Sequence, residues 1–263
     1  LLVNRRGIEV IYDSAAVGHR APDEEEYLGT RSAASPVDAD HAAQVLAATD
    51  VFKRADAAQL REAVEAAQAD PGRARAATSI AVQAHEDSGA VLFDCAPEFP
   101  RQMAHLRRRL GLGGSRALPV SAIFLTHAHV GHYLGLAFLG REAFSAKNLP
   151  VTCTPAMAAF LGDNKPFQHL ARRGEIVLCP ALPGLAVDHQ GLRVTSFLVQ
   201  HRNEDADTVG YRIEAGGKRL VFAPDFDVYD APILEEIGKA DLALLDATFY
   251  AEGEIQGRNQ SEL

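Results

Sequence analysis

The sequence predicts an α/β protein of the α+β kind, with sheet layers flanked by helices. Three observations carry this. Short apolar runs of strand length recur along the chain. Helix-periodic segments stand between several of them. Many neighbouring strands are joined by turns, as hairpins are. At 263 residues and 47% hydrophobic, the chain can bury a sizeable core. It reads as a single domain over 1–263 with a helical insertion at 37–70.

Residues 8–12 form the first expected strand, and the small, charged, Pro/Gly-punctuated stretch 13–31 is a loop. Ala, Gln, Glu and Leu at helical spacing predict one or two helices over 37–70, closed by Pro71-Gly72. Strands follow at 78–84 and 90–94, joined by the turn 86–89. A helix at 100–110 precedes a buried strand at 120–126, and 133–144 is helical. The strand 150–154 runs into Pro155, which opens a helix reaching 161. Strands at 175–179, 185–187 and 193–199 come next. A hairpin pairs 208–214 with 219–223 across Ala215-Gly216-Gly217-Lys218. A helix at 233–237 and a buried strand at 242–246 complete the order.

A net charge of -9 argues against a nucleic-acid backbone as the main partner. Arg107-Arg108-Arg109 fits the solvated face of a helix. Cys95, Cys153 and Cys179 form neither a CxxC pair nor an even disulfide framework, and their apolar contexts suggest buried free thiols in a reducing compartment. No apolar run is long enough to span a membrane, so no membrane partner is expected. The cytoplasm is the expected location, with the periplasm open if a leader was removed ahead of Leu1.

The chemistry concentrates at Thr126-His127-Ala128-His129-Val130-Gly131-His132, which follows an apolar strand. Imidazole is the commonest protein ligand for zinc and iron, and residues two apart at a strand end project to one side. His201 closes the run Phe197-Leu198-Val199-Gln200, and Asp225 closes Leu220-Val221-Phe222-Ala223-Pro224. Polar residues just past apolar strands converge on one rim of a sheet. Asp225 can equally cap the turn 224–227, and Asp227 can take either role. Asp94 follows a strand and is expected to orient the site loop, and Asp246 to fix a ligand histidine from behind. The remaining histidines, His19, His41, His85, His105, His169 and His189, look like loop or surface residues.

These segments, with Ala90-Val91-Leu92-Phe93-Asp94-Cys95, resemble the metallo-β-lactamase fold superfamily. More narrowly they resemble the branch related to PQQ-biosynthesis protein B. That likeness lies in Gly131-His132-Tyr133-Leu134-Gly135-Leu136, His201-Arg202-Asn203-Glu204, Thr208-Val209-Gly210-Tyr211 and Leu245-Asp246-Ala247-Thr248-Phe249. The resemblance implies an αββα sandwich with its active site at the rim where strand ends meet. It implies a catalytic metal on His127, His129 and His201, and a second metal on His132 with Asp225 bridging. The metal is zinc, with iron or manganese as alternatives, and its water is activated for hydrolysis. Two departures concern the second site. Gly131 stands where the superfamily usually has an aspartate, and no histidine follows His201. One metal site is therefore expected, and the second is left open.

The function expected is a metal-dependent hydrolase using a metal-bound hydroxide on a small ester, amide, lactone or phosphodiester. An iron-dependent oxidase or oxygenase of the PQQ-biosynthesis-B type and a non-catalytic ligand-binding relative are the alternatives. A small-molecule substrate is the expected partner, and a homo-oligomer is left open.

Overall fold

The computed structural model describes residues 78–85, 89–112 and 117–246, together with the backbone of two N-terminal strands. The chain divides into two units, Leu1–Ala15 with Ala76–Leu245 and Ala16–Arg75 with Asp246–Leu263. Of the second unit only Asp246 is described. The expected loop beyond residue 13, the helices at 37–70 and the residues after 246 thus lie outside the described residues, as do His19 and His41.

Two sheets organise the first unit. A seven-stranded sheet runs in sequence order, from β1 (Leu2–Asn4) and β2 (Ile8–Asp13) through β3 (Ser79–Gln83), β4 (Ala90–Phe93), β5 (Val120–Phe124) and β6 (Leu149–Cys153) to β7 (Ile176–Pro180). A five-stranded sheet holds β8 (Ala186–His189), β9 (Leu192–Leu198), β10 (Val209–Ala215), β11 (Lys218–Ala223) and β12 (Leu242–Leu245), with β8 and β12 at its edges. Hairpin pairing accounts for only part of this. β4, β5, β6 and β7 are mutually parallel, as are β11 and β12, so their connections must cross over through helices. Those parallel strands set the site, because their C-terminal ends share one rim.

The sequence of β4 shows why the layers stack. Ala90 and Leu92 face one core, while Val91 and Phe93 face another, and all four are buried. Period-two alternation in a strand apolar on both faces is the signature of a sheet covered on both sides. The inner core joins the sheets through Ile80, Val82, Phe93, Phe124, Val194, Ile213 and Phe222. Phe93 stacks on Phe124 at 5.2 Å between centroids and meets Tyr211 edge-on at 5.4 Å. The outer core of the large sheet lies under α1 (Phe99–Arg109), α3 (Pro155–Asp163) and α4 (Phe167–Arg172). Across the small sheet, Ile233 of α5 (Ala231–Gly238) packs with Val199, Ala223 and Phe226. The result is the αββα order.

Local chemistry explains the helix starts. Thr154 accepts a hydrogen bond from Met157 N at 3.2 Å ahead of Pro155, and Asp230 accepts from Ile233 N at 3.2 Å ahead of Pro232. The helix expected over 133–144 is different. It begins inside the histidine motif as α2 (Val130–Tyr133) and tightens into a 3-10 segment, Leu134–Leu139. Gly135 passes so close to the loop after β4 that an added Cβ would lie 2.2 Å from Ala96 O. The chain is pulled onto that loop and turns away at Gly140, which is extended. Three further expectations change. Cys179 is half-exposed beside the buried Cys95 and Cys153. His189 is half-buried, with Nε2 3.1 Å from Ser121 Oγ. β12 is half-buried rather than fully enclosed.

Candidate metal centre

Four loops at the shared rim supply the site. Asp94 follows β4, His127 and His129 follow β5, His201 follows β9, and Asp225 follows β11. Backbone hydrogen bonds tie these loops together. Asp94 N donates to Phe124 O at 2.8 Å, Cys95 N to His132 O at 2.6 Å, and Asp227 N to Gln200 O at 2.7 Å.

The structure brings His127, His129, His201 and Asp225 to one point. His127 Nε2 lies 2.9 Å from His129 Nδ1 and 3.3 Å from Asp225 Oδ2. His201 Nε2 lies 3.3 Å from His129 Nδ1 and 3.9 Å from Asp225 Oδ2. Zinc–nitrogen bonds of tetrahedral length place neighbouring donor atoms about 3.4 Å apart, so the 2.9 and 3.3 Å separations among the histidine nitrogens suit three corners of a tetrahedral site.

The far side of each ring fixes its tautomer. His127 Nδ1–H donates to Thr126 Oγ1 at 2.9 Å, and the Thr126 hydroxyl donates to Asp94, 2.9 and 3.0 Å from its two oxygens. His129 Nε2–H donates to Glu204 Oε2 at 3.2 Å, and His201 Nδ1–H to Asp227 Oδ1 at 2.9 Å. Each inward nitrogen therefore carries a lone pair. Two lone pairs facing each other 2.9 Å apart repel unless a cation lies between them. The donor set and its outer partners thus fit a divalent metal such as zinc.

His132 stands beside this group. Its Nδ1–H donates to Asp94 Oδ2 at 2.8 Å and its Nε2–H to Asp225 Oδ2 at 3.2 Å. Burial alone lowers its pKa, but Asp94 and Asp225 outweigh burial and bring it up to about 10. His127 is shifted the other way: burial, only partly offset by Asp225, holds it below the usual histidine value. Burial works against the Asp225 carboxylate, yet the adjacent His127 and His132 rings, the second donating its Nε2–H, carry it well below the ordinary carboxylate range.

Asp94 is the hub. It is fully buried, holds φ at +62°, and also accepts from Thr126 N at 2.8 Å. Aspartate tolerates that left-handed conformation better than most residues, and such strain concentrates at functional sites. Glu204 and Asp227 hold the outer nitrogens of His129 and His201, and Asp246, expected to back a ligand histidine, directly follows β12 and is half-buried. Glu204 had no local signal as a ring partner, because it lies 75 residues from His129 in sequence.

Comparison with known proteins agrees with this architecture. The beta-lactamase superfamily domain model matches residues 90–261. The chain belongs to the metallo-β-lactamase superfamily. Within that superfamily it is 30% identical over 196 residues to coenzyme PQQ synthesis protein B of Methylorubrum extorquens (strain PA1), covering 70% of this chain and 64% of that protein. The crystal structure of Zn(2+)-bound PqqB from Methylobacterium extorquens superposes with a TM-score of 0.57 at 27% identity, covering 66% of this chain and 61% of that one. The metallo-beta-lactamase fold protein YhfI from Bacillus subtilis shares the fold at a TM-score of 0.51 and 18% identity, over 72% of this chain and 68% of its own. The chain therefore spans less than two thirds of the length of the PQQ-synthesis relatives.

Proposed function

We propose that the chain is a metal-dependent hydrolase acting on a small ester, amide, lactone or phosphodiester, with zinc held by His127 Nε2, His129 Nδ1 and His201 Nε2. The observation that carries this reading is the converging donor set, each imidazole backed on its far nitrogen by an oxygen. Three histidines leave coordination open for chemistry, unlike a closed structural site. A divalent metal supplies a lowered pKa for a bound water, toward ~7, and polarises the oxygen of the reacting group.

The protein's own residues do the rest. Asp225 stays ionised across the working pH range, so it accepts an O–H from an attacking water and orients it rather than storing its proton. His132 and Asp94 lock Asp225 from behind, while Glu204 and Asp227 prevent the ligand rings from swinging. The second metal site stays doubtful on this reading. Gly131 offers no ligand atom, and His132 Nε2 already points at Asp225.

The test is elemental analysis of protein purified without chelator or added metal, joined to hydrolysis of a nitrophenyl ester and phosphodiester panel. The expected result is about one equivalent of metal, with turnover abolished by chelation and restored by zinc. A His127/His129/His201 triple alanine variant as active as the parent overturns the reading. The likeness to coenzyme PQQ synthesis protein B favours a second reading, an iron-dependent oxidase or oxygenase using the same ligands. Zinc has no redox chemistry, so oxygen uptake only by the iron form selects this reading, and full activity with zinc alone removes it. Manganese stands as a further candidate metal. The free thiols of Cys95 and Cys153 suit a reducing cytoplasm. Among the described residues no helix is long and apolar enough to cross a membrane.

A further inference from the structure

The loops at the rim are unequal in character. Between β7 and β8 the connection Ala181-Leu182-Pro183-Gly184-Leu185 carries no charge, and Leu182 and Leu185 are both more than half exposed. Leu198, the last residue of β9, is exposed to the same degree. Lone exposed leucines mean little, but these three stand beside strand ends on the rim that carries the histidines.

β7 is parallel to β6 and β5, so the loop that follows it leaves the sheet at the rim from which His127 emerges. Gly184 N donates to Ser196 O at 2.8 Å, which pins that loop against β9. Leu185, Val194 and Ser196 line one small space between the sheets, along with Phe124 and Thr152. Alternation then turns Leu198 to the same inter-sheet side as Val194 and Ser196, one step beyond the filled core. Leu198 is paired with Val209, and Val209 N donates to Thr126 O at 3.1 Å, next to His127. The apolar strip thus begins two strand pairings from the first histidine, through Val209, and runs away from it along the rim.

The charge around it is mostly of one sign. In the described loops 94–98, 126–133, 180–186, 199–208 and 224–230, the carboxylates are Asp94, Glu98, Glu204, Asp205, Asp207, Asp225, Asp227 and Asp230, against Arg202 as the one Arg or Lys. A phosphodiester or a polyanion finds only Arg202 and His132 in these loops to offset eight carboxylates, whereas a neutral acyl compound loses nothing by entering.

We infer that Leu182, Leu185 and Leu198 form an acyl-binding strip, so that the substrate is an uncharged ester, amide or lactone with an extended aliphatic portion, in preference to a phosphodiester. This rests on the metal-centre reading above and sharpens it. Its test is binding of two neutral chelating probes, acetohydroxamate and octanohydroxamate, to the zinc-loaded protein by calorimetry. Fully burying one methylene is worth about fourfold in affinity, so a half-open strip gives about twofold each, and six extra methylenes give on the order of 50-fold. Leu185→Asn with Leu198→Asn is expected to reduce that ratio to below about 5 while leaving acetohydroxamate affinity and thermal stability unchanged. Val177→Asn, at another exposed apolar position on β7, should leave the ratio intact. Equal affinity for the two probes with zinc bound overturns the acyl strip alone. Failure to take up zinc, or zinc without hydroxamate binding, overturns the metal-centre reading and the strip with it. In the panel above, phosphodiester turnover exceeding that of an octanoyl ester also refutes the inference.

Discussion

Replacing Asp94 with Asn isolates one charge at the hub of the site. The backbone holds φ at +62°, a region that Asn occupies as readily as Asp, so the substitution keeps the loop conformation. What changes is one oxygen and one charge. The rise of the His132 pKa from 6.5 to about 10 corresponds to about 5 kcal/mol of favourable interaction with the imidazolium, shared between Asp94 and Asp225. Assigning about half to Asp94, and adding the loss of one charge-assisted acceptor for Thr126, predicts a cost of about 3 kcal/mol. For a chain of this size that lowers Tm by roughly 6–12 °C. The measurement is urea denaturation of the metal-free protein at pH 7, with His132 followed by NMR titration in parallel. A loss under about 1 kcal/mol, with the His132 titration unmoved, refutes the assignment of Asp94 as the buried counter-charge.

Four further outcomes follow from the same geometry. His132 stabilises the metal-free fold fully below its ordinary pKa of 6.5, and that contribution is lost as pH rises toward about 10. The depressed Asp225 works oppositely: its contribution is present above 3.8 and lost as pH falls below it, so urea midpoints of the metal-free protein should decline on both sides of the interval from about 4 to 6.5. Gly135→Ala drives a methyl to within 2.2 Å of Ala96 O and 2.7 Å of Cys95 O, and should cost about 3 kcal/mol with weakened zinc affinity. Gly131→Ala meets nothing within 4 Å and should leave stability equal or raised by about 0.5–1 kcal/mol in the same denaturation assay. Gly131→Asp adds the carboxylate that the superfamily pattern carries, and elemental analysis should show zinc rising from one equivalent toward two.

Much of the site was legible because its residues obey one local rule. Asp94, His127, Asp225 and, two residues further out, His201 each follow an apolar run, and strand ends share a rim. What sequence could not reach is long-range. Glu204 and Asp227 find their histidines across 75 and 26 residues, through the turn of a loop and not through any period. The helix expected over 133–144 failed for a tertiary reason. Its apolar spacing is genuine, but Gly135 is drawn onto the Cys95–Ala96 carbonyls, and the tightened turns that result do not continue past Leu139. The short α4 went unforeseen because Phe167 and Leu170 alone give too brief a pattern to separate from a loop. Parallel pairing of β4 through β7 also lies beyond local patterns, since both pairing modes accept the same doubly buried strands.

The asymmetry between the two histidine environments is what ties fold to function. His127, His129 and His201 have their outer nitrogens held by neutral or exposed partners, and their inner nitrogens share one focus. His132 instead spans two carboxylates, the buried Asp94 and the more open Asp225, both reached through N–H groups. A cation entering at His132 must displace the proton that links it to Asp225, and Gly131 offers no replacement charge to offset that loss. A cation entering at the three histidines displaces nothing and relieves the facing lone pairs. On the proposed reading, the same carboxylate, Asp225, serves the first position as an ionised acceptor because His132 holds it there. On this view the missing aspartate at 131 does not leave half a binuclear centre behind. It converts His132 from a ligand into the clamp that sets Asp225, which is why zinc stoichiometry and the consequences of Asp94→Asn should move independently of each other.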